Sequence, residues 1–298
     1  MSQFFKRHAG ALWSVVALCL VGVAGIYVWY VMKNTARVTD ANQPAFETTL
    51  QQNTEPKVAT ETQATVAAKA KPLFDTQTLQ TTIDTWSAET PGDKAVVAMT
   101  PEGEVLASIN PDNTFFAASL YKLYAAYFGY QDIDAGKVNS AEDYNGGRTR
   151  SECLDVIVKE SDSPCAEQLL SELGKADVMS RLQAIGITNT SMGSLSTTAK
   201  DAATLLAIIA RGEGLTPASH STLLKSMHDQ IFRDALVNGF SDELAVYEKV
   251  GFNELMEYHD VAIVELKDGR KFILAVLTEG VGTRNIAELA RRVEAILQ

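Results

Sequence analysis

The chain predicts an α+β (α/β) domain. Five antiparallel strands form one sheet flanked by helices, and an all-helical lobe is inserted between the strands contributed by the two ends. Three observations lead there. "KAVVAMT" and "EVLASIN" are strand-like runs around "PEG" and read as a hairpin. Far downstream, "LAVYEKVG", "HDVAIVELKDG" and "RKFILAVLTEG" alternate or run apolar, with Asp268-Gly269 as the turn between the last two. Everything between has helical spacing. Sequential hairpins imply antiparallel pairing, so one sheet built from both ends is the natural assembly.

The elements follow in order. "LFDTQTLQTTIDTWSA" spaces Leu79, Ile83 and Trp86 as a short amphipathic helix before the first hairpin. "FFAASLYKLYAAYFGY", residues 115–130, is too long and too aromatic for a surface loop and reads as a buried helix. "RSECLDVIVKES" and "PCAEQLLSELG" are two helices broken at Asp162-Ser163-Pro164. Pro164 suits the first turn of the second, and Asp162 or Ser163 suits its N-cap. "KADVMSRLQAIG" is stopped by Gly186, "TTAKDAATLLAIIARGEG" is capped by Thr198, and "PASHSTLLKSMHDQ" is one more helix. "TRNIAELARRVEAILQ" closes the chain as an amphipathic helix.

With 298 residues and 46% hydrophobic content, the chain has room for a membrane segment and a domain with a sizeable core. No internal repeat is present. The net charge of −11 argues against nucleic-acid binding by charge. Residues 1–71 carry seven Lys/Arg against four Asp/Glu, so the acidity belongs to the rest. After a short N-terminus (1–10), "ALWSVVALCLVGVAGIYVWYVM" spans residues 11–32 without a charge, long enough to cross a bilayer as a helix. Trp29 and Tyr30 fall where an interfacial belt would lie. A cleavable signal peptide is the rival reading. The long apolar core, the lack of a small-residue cleavage site and the following Lys33 and Arg37 favour an uncleaved anchor. The expected location is therefore the cell membrane, with a cytoplasmic N-terminus and the domain at 75–298 on the extracytoplasmic side. Residues 33–74, rich in Thr, Gln and Ala, read as a flexible linker.

Three short motifs carry candidate chemistry. Ser119 is the only serine with a lysine three residues on, Lys122, and the pair opens a helix directly after two strands. At i and i+3 the two side chains share a face. A desolvated lysine loses its preference for the ammonium form and can act as a base, which a serine nucleophile needs. A lysine snorkelling from a structural helix is the bland alternative. Ser161-Asp162-Ser163 lies at a helix break, where a hydroxyl can pass a proton or simply cap a helix. Lys249-Val250-Gly251 puts a cation in an apolar strand beside a glycine that lets a ligand backbone come close. An aggregation-blunting edge lysine is the alternative there.

Taken in this order and context, the three motifs resemble the class A β-lactamase and penicillin-binding-protein superfamily. The resemblance covers about residues 75–298 and implies a β-lactamase/transpeptidase-like fold. It implies Ser119 as the acylated nucleophile, Lys122 as its proton acceptor and Ser161 as the hydroxyl passing a proton to the leaving nitrogen. Lys249 becomes the cation supporting Ser161 and attracting a substrate carboxylate. The backbone N–H groups of Ser119 and Phe252 would form the oxyanion hole. Ser163 and Gly251 would line the substrate, and His259 lies near where relatives place a carboxylate-binding arginine. Partners implied are a β-lactam or a peptidoglycan stem peptide, with no cofactor.

Three departures bear on activity. Class A enzymes carry an Ω-loop glutamate that activates the deacylating water, whereas "ITNTSMGSLSTTAK" (187–200) has no Asp or Glu. Ser163 stands where asparagine is usual, and Val250 where threonine or serine is usual. The expectation is a membrane-anchored serine hydrolase with slow deacylation. The alternative is a catalytically degenerate module that binds cell-wall peptide or a protein. Cys153 and Cys165 flank the Ser161 break; a bridge would staple it, unless diverging helices hold the two too far apart. His8, His220, His228 and His259 make no ligand pair at zinc-site spacing, so no metal is expected.

Overall fold

The computed structural model describes residues 75–253 and 256–297. The anchor (11–32) and linker (33–74) expected from the sequence lie outside the described residues. Among those described, no helix is long and apolar enough to cross a membrane.

Helix α1 (Thr76–Glu89) is capped by Asp75, whose carboxylate accepts the Gln77 N–H, and buries Leu79, Ile83 and Trp86. Strands β1 (Asp93–Met99) and β2 (Val105–Ile109) form the expected hairpin. After the helical lobe come β7 (Ala245–Phe252), β8 (Tyr258–Glu265) and β9 (Lys271–Glu279), antiparallel in sequence, and the last helix, α9 (Thr283–Glu294). The sheet order is β2-β1-β9-β8-β7, so β9 joins the two ends by pairing with β1 from Asp93↔Glu279 to Met99↔Ile273. Both faces are covered. Ala95, Val97, Ile273, Ala275 and Leu277 point to the helical lobe; Val96, Ala98, Phe272, Leu274 and Val276 point to α1 and α9. A sheet buried on both faces reads as continuous apolar runs, as these strands do.

The lobe comprises α2 (Tyr121–Asp134), α3 (Arg150–Lys159), α4 (Ser163–Leu173), α5 (Lys175–Ala184), α6 (Ala199–Ala210) and α7 (Pro217–His228), with the small hairpin β4 (Asp143–Asn145) and β5 (Arg148–Thr149) before α3. Every residue of α2 from Tyr121 to Tyr130 is buried, which makes it the lobe's central helix. Thr198 caps α6 and Gly186 follows the end of α5 with φ 85°, as expected. The short α8 (Leu236–Gly239) has no periodicity from which to foresee it.

The stretch at 115–130 departs from the single helix expected. Thr114–Phe116 is a strand, β3, antiparallel to β6 (Ser196–Thr198). A 3-10 turn at Ala118–Leu120 follows, and regular helix begins only at Tyr121. Ala118 has φ 44°, left-handed backbone that no α-helix accommodates, so the helix cannot start earlier.

Cys153 in α3 and Cys165 in α4 are bonded, with Cα atoms 5.4 Å apart. The two helices turn sharply enough at Ser161 to bring the cysteines together, which settles the alternative left open by the sequence. The bridge closes a short loop around the helix junction, and loop closure of this size contributes about 2–4 kcal/mol. Replacing both cysteines by alanine is expected to lower stability by about that amount, read as a shift of the urea midpoint relative to the oxidised protein.

Candidate active site

The Ser119 turn is clamped on three sides. The Ala117 N–H donates to the Leu195 carbonyl (2.6 Å) and the Leu120 N–H to the Ala117 carbonyl (2.9 Å). His259 Nε2 bonds the Phe116 carbonyl (2.7 Å). Strand β7 presses on the turn from the sheet. A Cβ built on Gly251 would lie 2.8 Å from the Ala117 carbonyl oxygen and 3.0 Å from the Leu120 nitrogen, so only glycine permits this approach. Ser119 is left partly exposed at the outside of the turn.

Lys122, in the first turn of α2, is 2% exposed. Its Nζ donates to the Ser161 carbonyl (2.5 Å) and to Ser163 Oγ (2.9 Å). Burial pulls its pKa below the ordinary lysine value; the carboxylates of Asp162 and Glu167 oppose that. The Ser119 hydroxyl has no hydrogen-bond partner among the described residues. Ser119 and Lys122 are thus neighbours on one turn, but the ammonium is held by the 161–163 segment.

That segment owes its shape to Ser161, whose φ of 57° folds the end of α3 into the start of α4. Asp162 caps α4 by accepting the Cys165 N–H (2.9 Å), and Pro164 sits in the first turn. Lys249 in β7 is fully buried, and its Nζ donates to Ser161 Oγ (3.0 Å) and to the Val250 carbonyl (2.7 Å). Ser161 therefore takes one lysine on its carbonyl and the other on its hydroxyl. Burial first, and then the nearby Lys122 ammonium, push the Lys249 pKa down to about 7. The Ser161 hydroxyl hydrogen stays free to donate outward. Ser163, on the same helix end, is exposed.

Two sequence expectations change here. His259 is not placed to meet a ligand. It is fully buried, its Nδ1 accepts the Thr278 N–H (3.1 Å), and its Nε2 therefore carries the hydrogen donated to Phe116. Burial also lowers its pKa, so it is a neutral strut between β9 and the strand before Ser119. Val250 lies directly across from Asp260, so both side chains share the sheet face opposite Lys249, and a hydroxyl at this position would point away from the lysine. Phe252 ends β7 half-exposed, stacked on Tyr258 (centroids 5.7 Å) and edge-on to Phe232 (5.1 Å).

The sequence reading missed the acid pair behind the site. Glu248 and Asp260 are fully buried on the face that Val250 shares. Asp260 Oδ2 accepts the Leu236 N–H (2.8 Å), while both oxygens of Glu248 and Oδ1 of Asp260 lack a partner. Burial raises both, Asp260 to about 7 and Glu248 well above its ordinary value, with repulsion from Asp260 adding to the rise at Glu248. Arg233 approaches Glu248 at 3.8 Å. The signal was available: two acids at inward positions of otherwise apolar strands.

The connection from α5 to β6 is short and tied down. Asp201 of α6 accepts the Asn189 N–H (2.7 Å) and the Thr190 hydroxyl (2.8 Å), and Thr197 bonds both Thr190 and Tyr124 (2.8 Å each). Asp201 is 3% exposed and holds this loop through Oδ2.

Comparison with known proteins fits this arrangement. The profile of the beta-lactamase enzyme family matches residues 78–297. The chain belongs to that family. Among solved structures, the class A beta-lactamase of the last common ancestor of Gram-negative bacteria aligns with TM-score 0.66 at 22% identity, covering 73% of this chain and 98% of that one. The structure described as PBP-A aligns with TM-score 0.66 at 22% identity, covering 73% and 94%. At such identities the likeness is one of fold. No curated protein matches the chain.

A beta-lactamase-family member that buries Lys249 here carries a stability cost. With a folded pKa of about 7 against an ordinary 10.5, the unfolded chain holds the extra proton between those values. Stability therefore rises with pH across that window, and the cost is complete below about pH 7. Lys249→Met is expected to raise the melting temperature at pH 7 by an amount equivalent to about 1–4 kcal/mol, the gain shrinking as pH approaches 10. Thermal melts of both proteins across pH 6–10 check this.

Proposed function

We propose that this family member is a membrane-anchored, extracytoplasmic serine hydrolase that acts on β-lactams or D-Ala-D-Ala-type peptides through an acyl-enzyme on Ser119. The observation that carries the reading is Ser161 bonded to two buried lysines beside the turn that presents Ser119. A lysine titrating near neutrality can accept and return a proton, and the Ser161 hydroxyl relays it to the leaving nitrogen. Lys122, desolvated and adjacent, takes the Ser119 proton once a substrate displaces its present contacts; such bonds tighten in the bound state. The N–H groups of Ser119 and Phe252 receive the oxyanion. The charge-free run at 11–32 and the Cys153–Cys165 bridge support export and anchoring.

Deacylation is slow in this reading. The loop that would bring a base carries none, and loss of a placed base slows hydrolysis by about 10²–10⁴-fold. One observation favours the rival reading, a binding module without turnover: the Lys122 ammonium sits on Ser161 and Ser163 rather than on Ser119. Intact-mass measurement during incubation with a fluorescent penicillin separates the two. A long-lived adduct that disappears in Ser119→Ala is expected, with little turnover of a chromogenic cephalosporin; no adduct supports the binding module.

A further inference from the structure

Water attacks an ester of serine slowly unless a base takes its proton. Asp201, the nearest acid to the 187–200 stretch, is buried and holds the loop through Oδ2. Two carboxylates act on Lys122, those of Asp162 and Glu167. Asp162 is engaged, with Oδ1 on the Cys165 N–H and Oδ2 facing Arg148 at 3.4 Å. Glu167 is exposed and has neither a hydrogen bond nor an ion pair among the described residues. It stands one turn beyond Ser163 on α4. Helical side chains tilt toward the N-terminus, so its carboxylate leans back over Ser163, whose Oγ holds the Lys122 ammonium at 2.9 Å. Its charge is also felt by the Tyr121 hydroxyl at the start of the nucleophile's helix.

We propose that Glu167 on α4 is the base that activates the water releasing the acyl group from Ser119. The proposal rests on the acyl-serine reading above. In the step, the water oxygen bonds to the acyl carbon as its proton passes to the Glu167 carboxylate. The tetrahedral adduct collapses with cleavage of the bond from that carbon to Ser119 Oγ. Oγ recovers a proton relayed from Glu167 through Lys122, and the products are free Ser119 and the carboxylic acid. Water is the only co-reactant. A base on a flexible, exposed side chain is less well oriented than one fixed by packing, which suits slow but finite release.

The test uses the full chain labelled with fluorescent penicillin, freed of excess probe and followed by intact mass. Glu167→Gln and Glu167→Ala should label Ser119 within about twofold of the wild-type rate and melt at the wild-type temperature, because the residue is exposed. Release should slow by about 10²-fold in both. Added formate should restore part of the release in Glu167→Ala, where space is vacated, and none in Glu167→Gln. Wild-type release from Glu167→Gln overturns the assignment and leaves the acyl-serine reading standing. Slowed release without formate rescue overturns the role as base, as does a wild-type adduct that never releases. Failure of the wild-type protein to label at all overturns the acyl-serine reading and this proposal with it.

Discussion

One serine held between two buried ammonium groups sets the terms for the rest of the structure. Lys122 and Lys249 approach Ser161 from a helix and from a strand, and neither has a carboxylate as its hydrogen-bond partner. Burial and the neighbouring Lys122 ammonium together oppose protonation of Lys249, and burial does the same for Lys122, so both lie below the ordinary lysine value. Keeping both lysines in place needs a rigid junction at Ser161. Its left-handed backbone costs on the order of 1–3 kcal/mol and persists because the surroundings over-determine it. The Asp162 cap, the Asp162 N–H bond to the Val156 carbonyl (3.1 Å) and the disulfide all act on the same few residues.

The sheet separates two electrostatic problems. Lys249 faces the helical lobe; Glu248, its neighbour, faces α8 together with Asp260. Alternation along a strand makes this unavoidable, since consecutive side chains take opposite faces. The two acids partly counter the burial effect on Lys249 from behind. Their own pKa values rise because little solvates them, Asp260's to about 7.

Much of the fold was legible in the sequence because its signals are local. The strand alternation, the Asp268-Gly269 turn, the Thr198 cap and the Asp162-Pro164 helix start are each written in a few adjacent residues. What was not legible depends on partners far away in the chain. Phe115 and Phe116 look helical by composition, yet pair as a strand with residues some eighty positions on. His259 looked like a ligand contact by alignment with its family, and only its bonds to Phe116 and Thr278 show it as a strut. The gathering of Ser119, Lys122, Ser161 and Lys249 was read from motif order. That Lys122 rests on the 161–163 segment is a matter of ångströms, which no spacing encodes.

Strand β7 is the last strand of the sheet, with β8 on one side only. The turn carrying Ser119 packs on the lobe-facing side of this strand, close enough that Gly251 cannot bear a side chain. A lineage that gave up chemistry at Ser119 would still be held to glycine at 251, since any side chain there would drive the turn and the strand apart.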